Sequence, residues 1–207
     1  MSYSMVIDLK RCVGCSGCVT NCKVSKGTPP KMERSWVARS LEGTYPNARR
    51  SIVPKLCNQC DTPPCVTVCP SGATFKDDSG VILIDKEVCM GCQSCIAACP
   101  YGARHHRADS LGYFDGELTQ YEAIAYRNMP ENTTDKCDFC MGRTDTGQTP
   151  EPACVRSCVA GARFFGTTEE MESFVSASGR DSHRLLEHKG TGPNVIYLSD
   201  FVNTAEA

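Results

Sequence analysis

Sixteen cysteines are the residues of this chain best suited to chemistry, and their spacing divides them into four groups of four with none left over. The first and third groups read C-x2-C-x2-C-x3-C, the second reads C-x2-C-x4-C-x3-C, and the fourth reads C-x2-C-x13-C-x3-C. Each group has the four thiolates that a cubane iron–sulfur cluster binds through its irons. In chain order the groups are Cys12, Cys15, Cys18 and Cys22; Cys57, Cys60, Cys65 and Cys69; Cys89, Cys92, Cys95 and Cys99; and Cys137, Cys140, Cys154 and Cys158.

The spacing within a group predicts how the chain wraps a cubane. Three cysteines two residues apart can reach three iron corners from one tight loop, and the fourth cysteine of such a run ligates the other cluster of a pair. The C-x3-C step places two cysteines at i and i+4 on one stripe of a helix. We therefore expect a short helix between two clusters, ended in the second and third groups by Pro70 and Pro100.

Two other uses of sixteen cysteines are a disulfide scaffold and structural zinc. Disulfide scaffolds are typical of secreted chains under about 100 residues, whereas this chain has 207 residues. Zinc sites pair two C-x2-C knuckles across a spacer and do not use a triplet that ends in C-x3-C-P. Iron–sulfur ligation is the interpretation that accounts for all four groups.

The rest of the composition argues against several function classes. Cysteine makes up about 8% of the chain, far above ordinary usage. The formal net charge is −2, with no basic stripe, so nucleic acid is not an expected partner. No apolar run reaches the roughly 18 residues of a membrane span, and residues 1–8 lack the basic and apolar pattern of a signal peptide.

Short sequence motifs recur around the cysteine groups, which indicates one repeated unit. Gly-Ala follows shortly after each of the last three groups, where glycine suits a left-handed turn. Short strands at 6–8 (VID) and 83–85 (LID) are predicted to lead into the first and third groups. Between the second and third groups, the turn sequence DDSG at 77–80 separates two strand-forming runs, which predicts a hairpin.

The second and third groups lie close enough in the chain to form a complete two-cluster ferredoxin unit, residues 52–104. The first and fourth groups are each half of such a unit, so the economical arrangement pairs them around the middle unit. The predicted fold class is α+β, with two bacterial-ferredoxin-like two-cluster modules, one inserted in the other, and loop-rich extensions. The outer module comprises residues 1–28 plus 135–166.

Three segments outside the modules are candidate extensions that cover the clusters from water or dock a partner. These extensions are residues 29–51, 105–134 and 167–207. In the last of them, Thr167 and Glu170 form a capping-box pattern ahead of an apolar run with helical spacing. Residues 194–198 (NVIYL) are predicted to form a strand.

The pattern resembles the four-cluster electron-transfer subunit of molybdopterin oxidoreductases of the dimethyl sulfoxide reductase family. The resemblance covers nearly the whole chain and looks closest to the small subunits of arsenate respiratory reductases, polysulfide reductases and catechol dehydroxylases. Beyond the cysteines, the motifs that carry it are VIDL at 6–9, CVGC at 12–15, LCNQC at 56–60, CPSGA at 69–73, CPYGA at 99–103, DKCDFC at 135–140 and GTGP at 190–193.

The resemblance implies a ligand set for each of four 4Fe-4S clusters. In some relatives a tryptophan replaces one cysteine of the third group and gives a three-iron cluster, but Cys92 is present here. The implied sets are Cys12, Cys15, Cys18 and Cys158; Cys22, Cys137, Cys140 and Cys154; Cys57, Cys60, Cys65 and Cys99; and Cys69, Cys89, Cys92 and Cys95.

The resemblance also implies a chain that is not an enzyme by itself. It implies electron relay between an external donor or acceptor, such as a membrane anchor or cytochrome, and a large catalytic subunit holding molybdenum or tungsten with two pterins. Subunits of this kind serve anaerobic respiration and are cytoplasmic, or periplasmic by export with a signal-bearing partner. They associate with membranes through a partner. A free-standing polyferredoxin and a zinc-dependent interaction module are the competing functions.

The remaining residues with possible chemical roles are predicted to serve packing or surface. All sixteen iron corners already have a cysteine, so the four histidines (His105, His106, His183 and His188) are not expected to be ligands. Trp36 is expected to cover apolar surface.

Overall fold

A computed structural model describes residues 2–114, 117–141 and 151–199. Helices and strands are both present in these ranges, in agreement with the mixed content of the predicted fold class. The helices are α1 (Gly17–Lys26), α2 (Pro64–Thr67), α3 (Ser94–Ala97), α4 (Gln120–Ala125), α5 (Ala153–Arg156) and α6 (Thr168–Ser178), with 3-10 helices at Tyr126–Asn128 and Glu187–Lys189. The strands are β1 (Tyr3–Asp8), β2 (Ser35–Glu42), β3 (Arg49–Leu56), β4 (Thr74–Lys76), β5 (Ile82–Ile84), β6 (His105–Arg107), β7 (Thr133–Asp135), β8 (Arg163–Thr167), β9 (Ser182–His183) and β10 (Val195–Leu198).

One mixed sheet joins the two ends of the described chain, with strand order β8-β1-β10-β9. β1 runs parallel to β10, with Met5 opposite Val195, and antiparallel to β8, with Met5 opposite Phe165. The predicted strands at 6–8 and 194–198 are confirmed as β1 and β10. The strand that leads into the first cysteine loop is therefore held by strands from the C-terminal part of the chain.

Side chains alternate between the two faces of this sheet, as in any strand. On one face, Val6 and Ile196 pack with Met171 of α6. On the opposite face, Met5 and Tyr197 join the main core, which also contains cysteines of the second and fourth groups. The sheet therefore lies between α6 and the cysteine loops.

Helix α6 begins with the predicted capping box. Thr167 Oγ1 accepts a hydrogen bond from the backbone nitrogen of Glu170 at 3.3 Å, and Glu170 Oε2 accepts one from the backbone nitrogen of Thr167 at 2.8 Å. These bonds satisfy donors that a helix start leaves without a partner inside the helix. Gly179, with φ of 60°, ends the helix, so the prediction of a capped helix here is confirmed.

Three two-stranded ladders complete the described strands: β2–β3, β4–β5 and β6–β7. The β4–β5 hairpin was predicted, and its turn is held by Asp77 Oδ1, which accepts from the backbone nitrogens of Ser79 at 3.0 Å and Val81 at 2.8 Å. The β2–β3 hairpin was not predicted, because the strand ends at its tip are exposed and give no alternating apolar pattern. Its second strand also runs across the predicted module boundary at residue 52.

The helices at the cysteines differ from the prediction in length. α2, α3 and α5 each have four residues and contain only the first cysteine of their C-x3-C step. α2 ends at Thr67 and α3 at Ala97, so Pro70 and Pro100 stand two residues beyond the C-cap residues Val68 and Ala98, where proline commonly follows a helix. In the first group, where Lys23 follows the last cysteine, α1 continues to Lys26.

Candidate metal centres

The first quartet of thiols lines one cavity and draws on both ends of the chain. Its members are Cys12, Cys15, Cys18 and Cys158. Gly14, with φ of 68°, lets the loop turn between its first two cysteines. Burial raises the pKa of the Cys12 thiol, and the neighbouring thiols of Cys18 and Cys158 raise it further. These four sulfurs therefore share one space around which a cluster can be bound.

The second quartet is the most deeply buried, with all four thiols withdrawn from solvent. Its members are Cys22, Cys137, Cys140 and Cys154. Burial raises the pKa of the Cys22 thiol to about 12, and the nearby thiols of Cys154 and Cys140 raise it too. Helix α1 packs against α5, where Asn21 Nδ2 donates to the backbone oxygen of Ala153 at 2.8 Å. This packing brings the first group of cysteines to the fourth.

The third quartet combines three cysteines of the second group with one of the third. Its members are Cys57, Cys60, Cys65 and Cys99. Burial raises the pKa of the Cys60 thiol to about 11, and the other three thiols of the quartet also raise it. Helix α2 packs against α3, so the two loops face each other.

The fourth quartet lies nearer to solvent than the second and third quartets do. Its members are Cys69, Cys89, Cys92 and Cys95, of which Cys92 is exposed and Cys95 is buried. Hydrogen bonds with Ser94 lower the pKa of the Cys92 thiol, while the nearby Cys69 thiol opposes this effect. Burial raises the pKa of Cys69, but hydrogen bonds from Thr74 and Ser71 bring it below its ordinary value. A thiol that deprotonates readily is suited to ligation, because the thiolate is the metal ligand.

A repeated turn follows the last cysteine of the second, third and fourth groups. Its glycines, Gly72, Gly102 and Gly161, have φ of 69°, 61° and 55°, which confirms the predicted left-handed conformation. The following alanines are buried. After two of these turns a backbone nitrogen donates to the cysteine sulfur, from Ala162 to Cys158 Sγ at 3.2 Å and from Thr74 to Cys69 Sγ at 3.4 Å. Hydrogen bonds to sulfur are one means by which a protein sets a cluster's potential.

The quartets follow one another in space in a single order. Cys18 of the first quartet lies near Cys154 of the second. Cys137 of the second quartet lies near Cys57 of the third. The Arg104 side chain interacts with thiols of both the third and the fourth quartets. Among the described residues, the first quartet therefore neighbours the second, the second neighbours the third, and the third neighbours the fourth.

The two ends of this series reach the surface. Cys15 in the first quartet and Cys92 in the fourth are the exposed cysteines. Exposed apolar side chains stand beside each of them in the sequence: Val13 at the first end, and Met90 at the other. Both ends are therefore accessible to a partner, while the middle quartets are enclosed.

Buried cations among the quartets fit a negatively charged cofactor. Arg104 is 3% exposed, and its Nη2 has no hydrogen-bond partner among the described residues. A buried cation without a partner is costly, whereas an iron–sulfur cluster with its thiolates carries net negative charge and sulfur acceptors. The unpartnered donor is therefore one that a cluster bound by the quartet of Cys65 or by that of Cys95 would satisfy.

A single metal ion and a cubane require different arrangements of four thiolates. In residues 2–114, 117–141 and 151–199, no three His, Cys, Asp or Glu side chains converge as ligands of one metal ion. Tetrahedral zinc holds its sulfurs about 2.3 Å from one point, whereas a cubane distributes four thiolates over four irons. None of the sixteen cysteines forms a disulfide.

An ion-pair network holds the loop of the fourth group, and sequence reasoning missed it. Asp135 accepts from Arg34 Nε at 2.6 Å and Nη2 at 2.8 Å, and from Lys86 Nζ at 2.7 Å. Asp138 pairs with Lys26 Nζ at 2.9 Å. Burial raises the pKa of each carboxyl, but the partner cations hold both values below the ordinary range. The partners lie far apart in sequence, so no local pattern reveals them.

The histidines and Trp36 occupy positions that agree with the packing prediction. His105 and His183 are half-buried, and burial lowers the pKa of both. His106 is half-buried in β6 and His188 is exposed. Trp36 packs against the main core.

Comparison with known proteins identifies the family. The sequence-family model described as "4Fe-4S dicluster domain" matches residues 48–113 and 119–168 of this chain. The chain is 38% identical to the arsenate respiratory reductase iron-sulfur subunit ArrB of Shewanella sp. ANA-3, over 99% of this chain and 100% of that protein. It is 38% identical to a subunit of the selenate reductase of Mesobacillus selenatarsenatis (96% of this chain, 72% of that protein). It is 37% identical to a subunit of the tetrathionate reductase of Salmonella typhimurium (95% and 72%).

The described ranges contain no helix with the length and apolar character needed to cross a membrane.

The cysteine loops, the dicluster match and the three relatives agree with one another. The chain belongs to the family of iron–sulfur electron-transfer subunits of molybdopterin reductases.

Proposed function

We propose that this chain carries four 4Fe-4S clusters and relays electrons between an external donor or acceptor and a molybdenum or tungsten bis-pterin catalytic subunit. The observation that carries the proposal is the series of quartets that leads from exposed Cys15 to exposed Cys92 through a buried middle. The names of the relatives, which are subunits of selenate, tetrathionate and arsenate reductases, support a catalytic partner of this class.

Each proposed ligand set combines cysteines of two groups, in the manner of a two-cluster ferredoxin. The positions of the thiols support each assignment through a shared cavity or through mutual electrostatic effects. The proposed sets are Cys12, Cys15, Cys18 and Cys158; Cys22, Cys137, Cys140 and Cys154; Cys57, Cys60, Cys65 and Cys99; and Cys69, Cys89, Cys92 and Cys95.

The same pairing defines two proposed modules. The outer module comprises residues 1–28 and 135–166, and the packing of α1 against α5 supports it. The inserted module comprises residues 52–104, supported by the packing of α2 against α3. The extensions at 29–51, 105–134 and 167–207 would cover the clusters and dock partners.

A bound cubane exchanges one electron without rearrangement of its bonds. The chain's own residues hold the four sites in order, enclose the middle two and expose one thiol at each end. We assign the chain no reaction of its own, and the chemistry belongs to the catalytic partner. Backbone donors such as Ala162 and Thr74 adjust the sulfurs of the terminal quartets.

The exposed ends are the proposed docking positions. Val13 and Val159, at 65% and 85% exposure, flank cysteines of the first quartet and would face the catalytic subunit. Met90 and Val88, at 58% and 49% exposure, lie beside the fourth quartet and would face a membrane anchor or cytochrome. The proposed location is cytoplasmic, or periplasmic by export with a signal-bearing partner, with any membrane association made through a partner.

The test is anaerobic purification of the tagged chain from its native cells, with analysis of iron, molybdenum and tungsten in each fraction. The proposal predicts that molybdenum or tungsten and a large subunit co-elute with the iron. A Val159→Asp variant should lose the large subunit and keep its iron, while the Val88→Asp variant at the other end should keep both. Iron that elutes with neither metal and no large subunit would favour a free polyferredoxin.

A further inference from the structure

Arg163 lies between the first and second quartets. It lines the same cavity as the thiols of the first quartet, and its guanidinium interacts with the Cys154 thiol of the second. The side chain is 4% exposed and donates from Nη2 to Ser35 Oγ at 3.0 Å. This fixed position places one positive charge next to two proposed cluster sites.

Arg104 has the equivalent position between the third and fourth quartets. It follows the Gly-Ala turn of the third group as Arg163 follows that of the fourth. Its side chain interacts with Cys65 of the third quartet and Cys95 of the fourth. Thr74 Oγ1 accepts a hydrogen bond from Nη1 at 3.1 Å, which fixes the guanidinium in place.

Lys136 fills the remaining interval, between the second and third quartets. It is 2% exposed, and its Nζ donates to the backbone oxygen of Cys137 at 2.8 Å and also to that of Ile82. Its charge acts on the Cys65 thiol of the third quartet. Each of the three intervals in the series thus contains one buried cation.

The three cations have no carboxylate partner among residues 2–114, 117–141 and 151–199, where their hydrogen bonds go to hydroxyl and carbonyl oxygens and, from Arg163 Nη1, to the Met5 sulfur. Arg34, which is largely withdrawn from solvent, is paired with a carboxylate, and Arg107, which is buried outside the quartets, donates to the backbone oxygens of Asp109 and Tyr126. The positive charge of the three is therefore left for the cofactors.

We propose that Arg163, Lys136 and Arg104 are positioning residues that set the reduction potentials of the cluster pair on either side of each, an inference that rests on the proposed four-cluster function. Reduction adds one negative charge to a cubane, and a fixed cation nearby stabilises the more negative state. Each cation therefore raises the potentials of both clusters that it separates. The second and third clusters each lie beside two cations and the terminal clusters beside one, so the cations raise the potentials of the two middle clusters most.

The experiment is an anaerobic redox titration, followed by electron paramagnetic resonance, of the full cluster-loaded chain and its variants. Arg104→Gln should lower the midpoints of the third and fourth clusters, and Arg163→Gln those of the first and second. Lys136→Met should lower those of the second and third. We expect at least about a tenfold change in the oxidised-to-reduced ratio, about 59 mV for a one-electron couple.

Two variants serve as controls. Arg50→Gln removes the same charge from an exposed position on β3, where solvent and salt screen it, and should leave all midpoints unchanged. Arg104→Lys keeps the charge and should shift the midpoints less than Arg104→Gln does. If Arg104→Gln fails to retain its clusters, Arg104→Lys must retain four clusters with near wild-type midpoints.

The outcomes separate the two proposals. Absence of four clusters in the wild-type chain would contradict the proposed function before any variant is compared. With four clusters present in the variants, unchanged midpoints, or an equal shift of all four clusters, would overturn the role of the cations. Equal shifts in Arg104→Lys and Arg104→Gln would also overturn it, because charge would then not be the cause.

Discussion

The Gln59 side chain donates from Nε2 to the backbone oxygen of Cys137 at 2.7 Å, so a single amide ties the loop of the second cysteine group to that of the fourth. The same amide accepts from the backbone nitrogen of Ile82 at 2.8 Å. Gln59 is 1% exposed, and buried amides of this kind hold loops only when their hydrogen bonds are complete. Gln59 is therefore one of the side chains that hold the second and third quartets together.

Gln59→Leu should loosen this junction. The substitution keeps the size of the side chain but leaves the Ile82 amide without its acceptor, while Lys136 still donates to the Cys137 oxygen. An unsatisfied buried group costs about 1–3 kcal/mol. The measurement is the rate at which the visible cluster absorbance disappears in guanidinium chloride, which we expect to rise about tenfold.

Gln93→Leu is the matched control. Gln93 is exposed, and its φ of 61° puts it in the same left-handed region as Gln59, at 46°. The same chemical change at this position should leave the rate near that of the wild type. Equal acceleration in both variants would show that the buried hydrogen bonds of Gln59 are not responsible.

Asp135→Asn should destabilise the loop of the fourth group and change its response to acid. Asp135 is buried and ionised against Arg34 and Lys86, and loss of one partner of a buried pair costs about 3–5 kcal/mol. Because its pKa is lower in the folded state, its stabilisation is complete above the unfolded value of about 3.9 and falls away as the pH drops through the folded value.

The corresponding measurement is the cluster-loss rate of wild type and variant from pH 7 down to about pH 3. The ratio of the two rates should be largest near neutrality and shrink at the acidic end. Asp78→Asn, an exposed change in the β4–β5 turn, is the control and should track the wild type throughout. The ion-pair assignment would be contradicted if the ratio of the Asp135→Asn rate to the wild-type rate increased as the pH fell.

Gly91→Ala should damage one cluster site selectively. Gly91 has φ of 69°, and an added Cβ would overlap the backbone oxygen of Asn132. Gly102 has a similar φ of 61° but open space where its Cβ would be. Ala at either position costs about 1–2 kcal/mol of backbone strain, and only Gly91→Ala adds a clash with another segment.

Iron analysis after anaerobic purification distinguishes these two glycine variants. Gly102→Ala should keep the wild-type content, whereas Gly91→Ala should lose about four irons per chain because the loop of Cys89 and Cys92 is displaced. Equal iron in both would show that the contact between Gly91 and Asn132 does not constrain the loop.

Oxidants should remove clusters from the ends of the series first. Cys15 and Cys92 are exposed, while Cys22 and Cys137 are buried, and oxidation follows exposure and thiolate character. After timed exposure of the loaded protein to air, alkylation and mass spectrometry should find the terminal cysteines modified earliest. Earlier modification of Cys137 than of Cys92 would contradict the proposed order of the quartets.

The parts of the fold that the sequence predicted are those coded locally. The spacing of the cysteines, the DDSG turn of β4–β5 and the Thr167 capping box each act within a few residues, and the hairpin and the capped helix are present as expected. Strand β1 was expected from its apolar residues, but its parallel partner β10 lies at the other end of the chain. No local pattern specifies such a pairing.

The buried charges were missed for a related reason. Arg104 and Arg163 look like ordinary surface arginines in the sequence, and only their repeated position after Gly-Ala singles them out. Their burial arises from the packing of loops that are distant in the chain. Short helices were expected at α2 and α3, but their ends before Cys69 and Cys99 were missed, since the spacing of the cysteines does not specify the residue at which a helix ends.

The central claim is the presence of four cubanes, and iron and acid-labile sulfide per chain in the anaerobically purified protein test it most directly. The account predicts about 16 iron and about 16 sulfide per chain, four of each for every quartet. About 4 zinc with little iron or sulfide would contradict it, because that content belongs to four tetrahedral zinc sites.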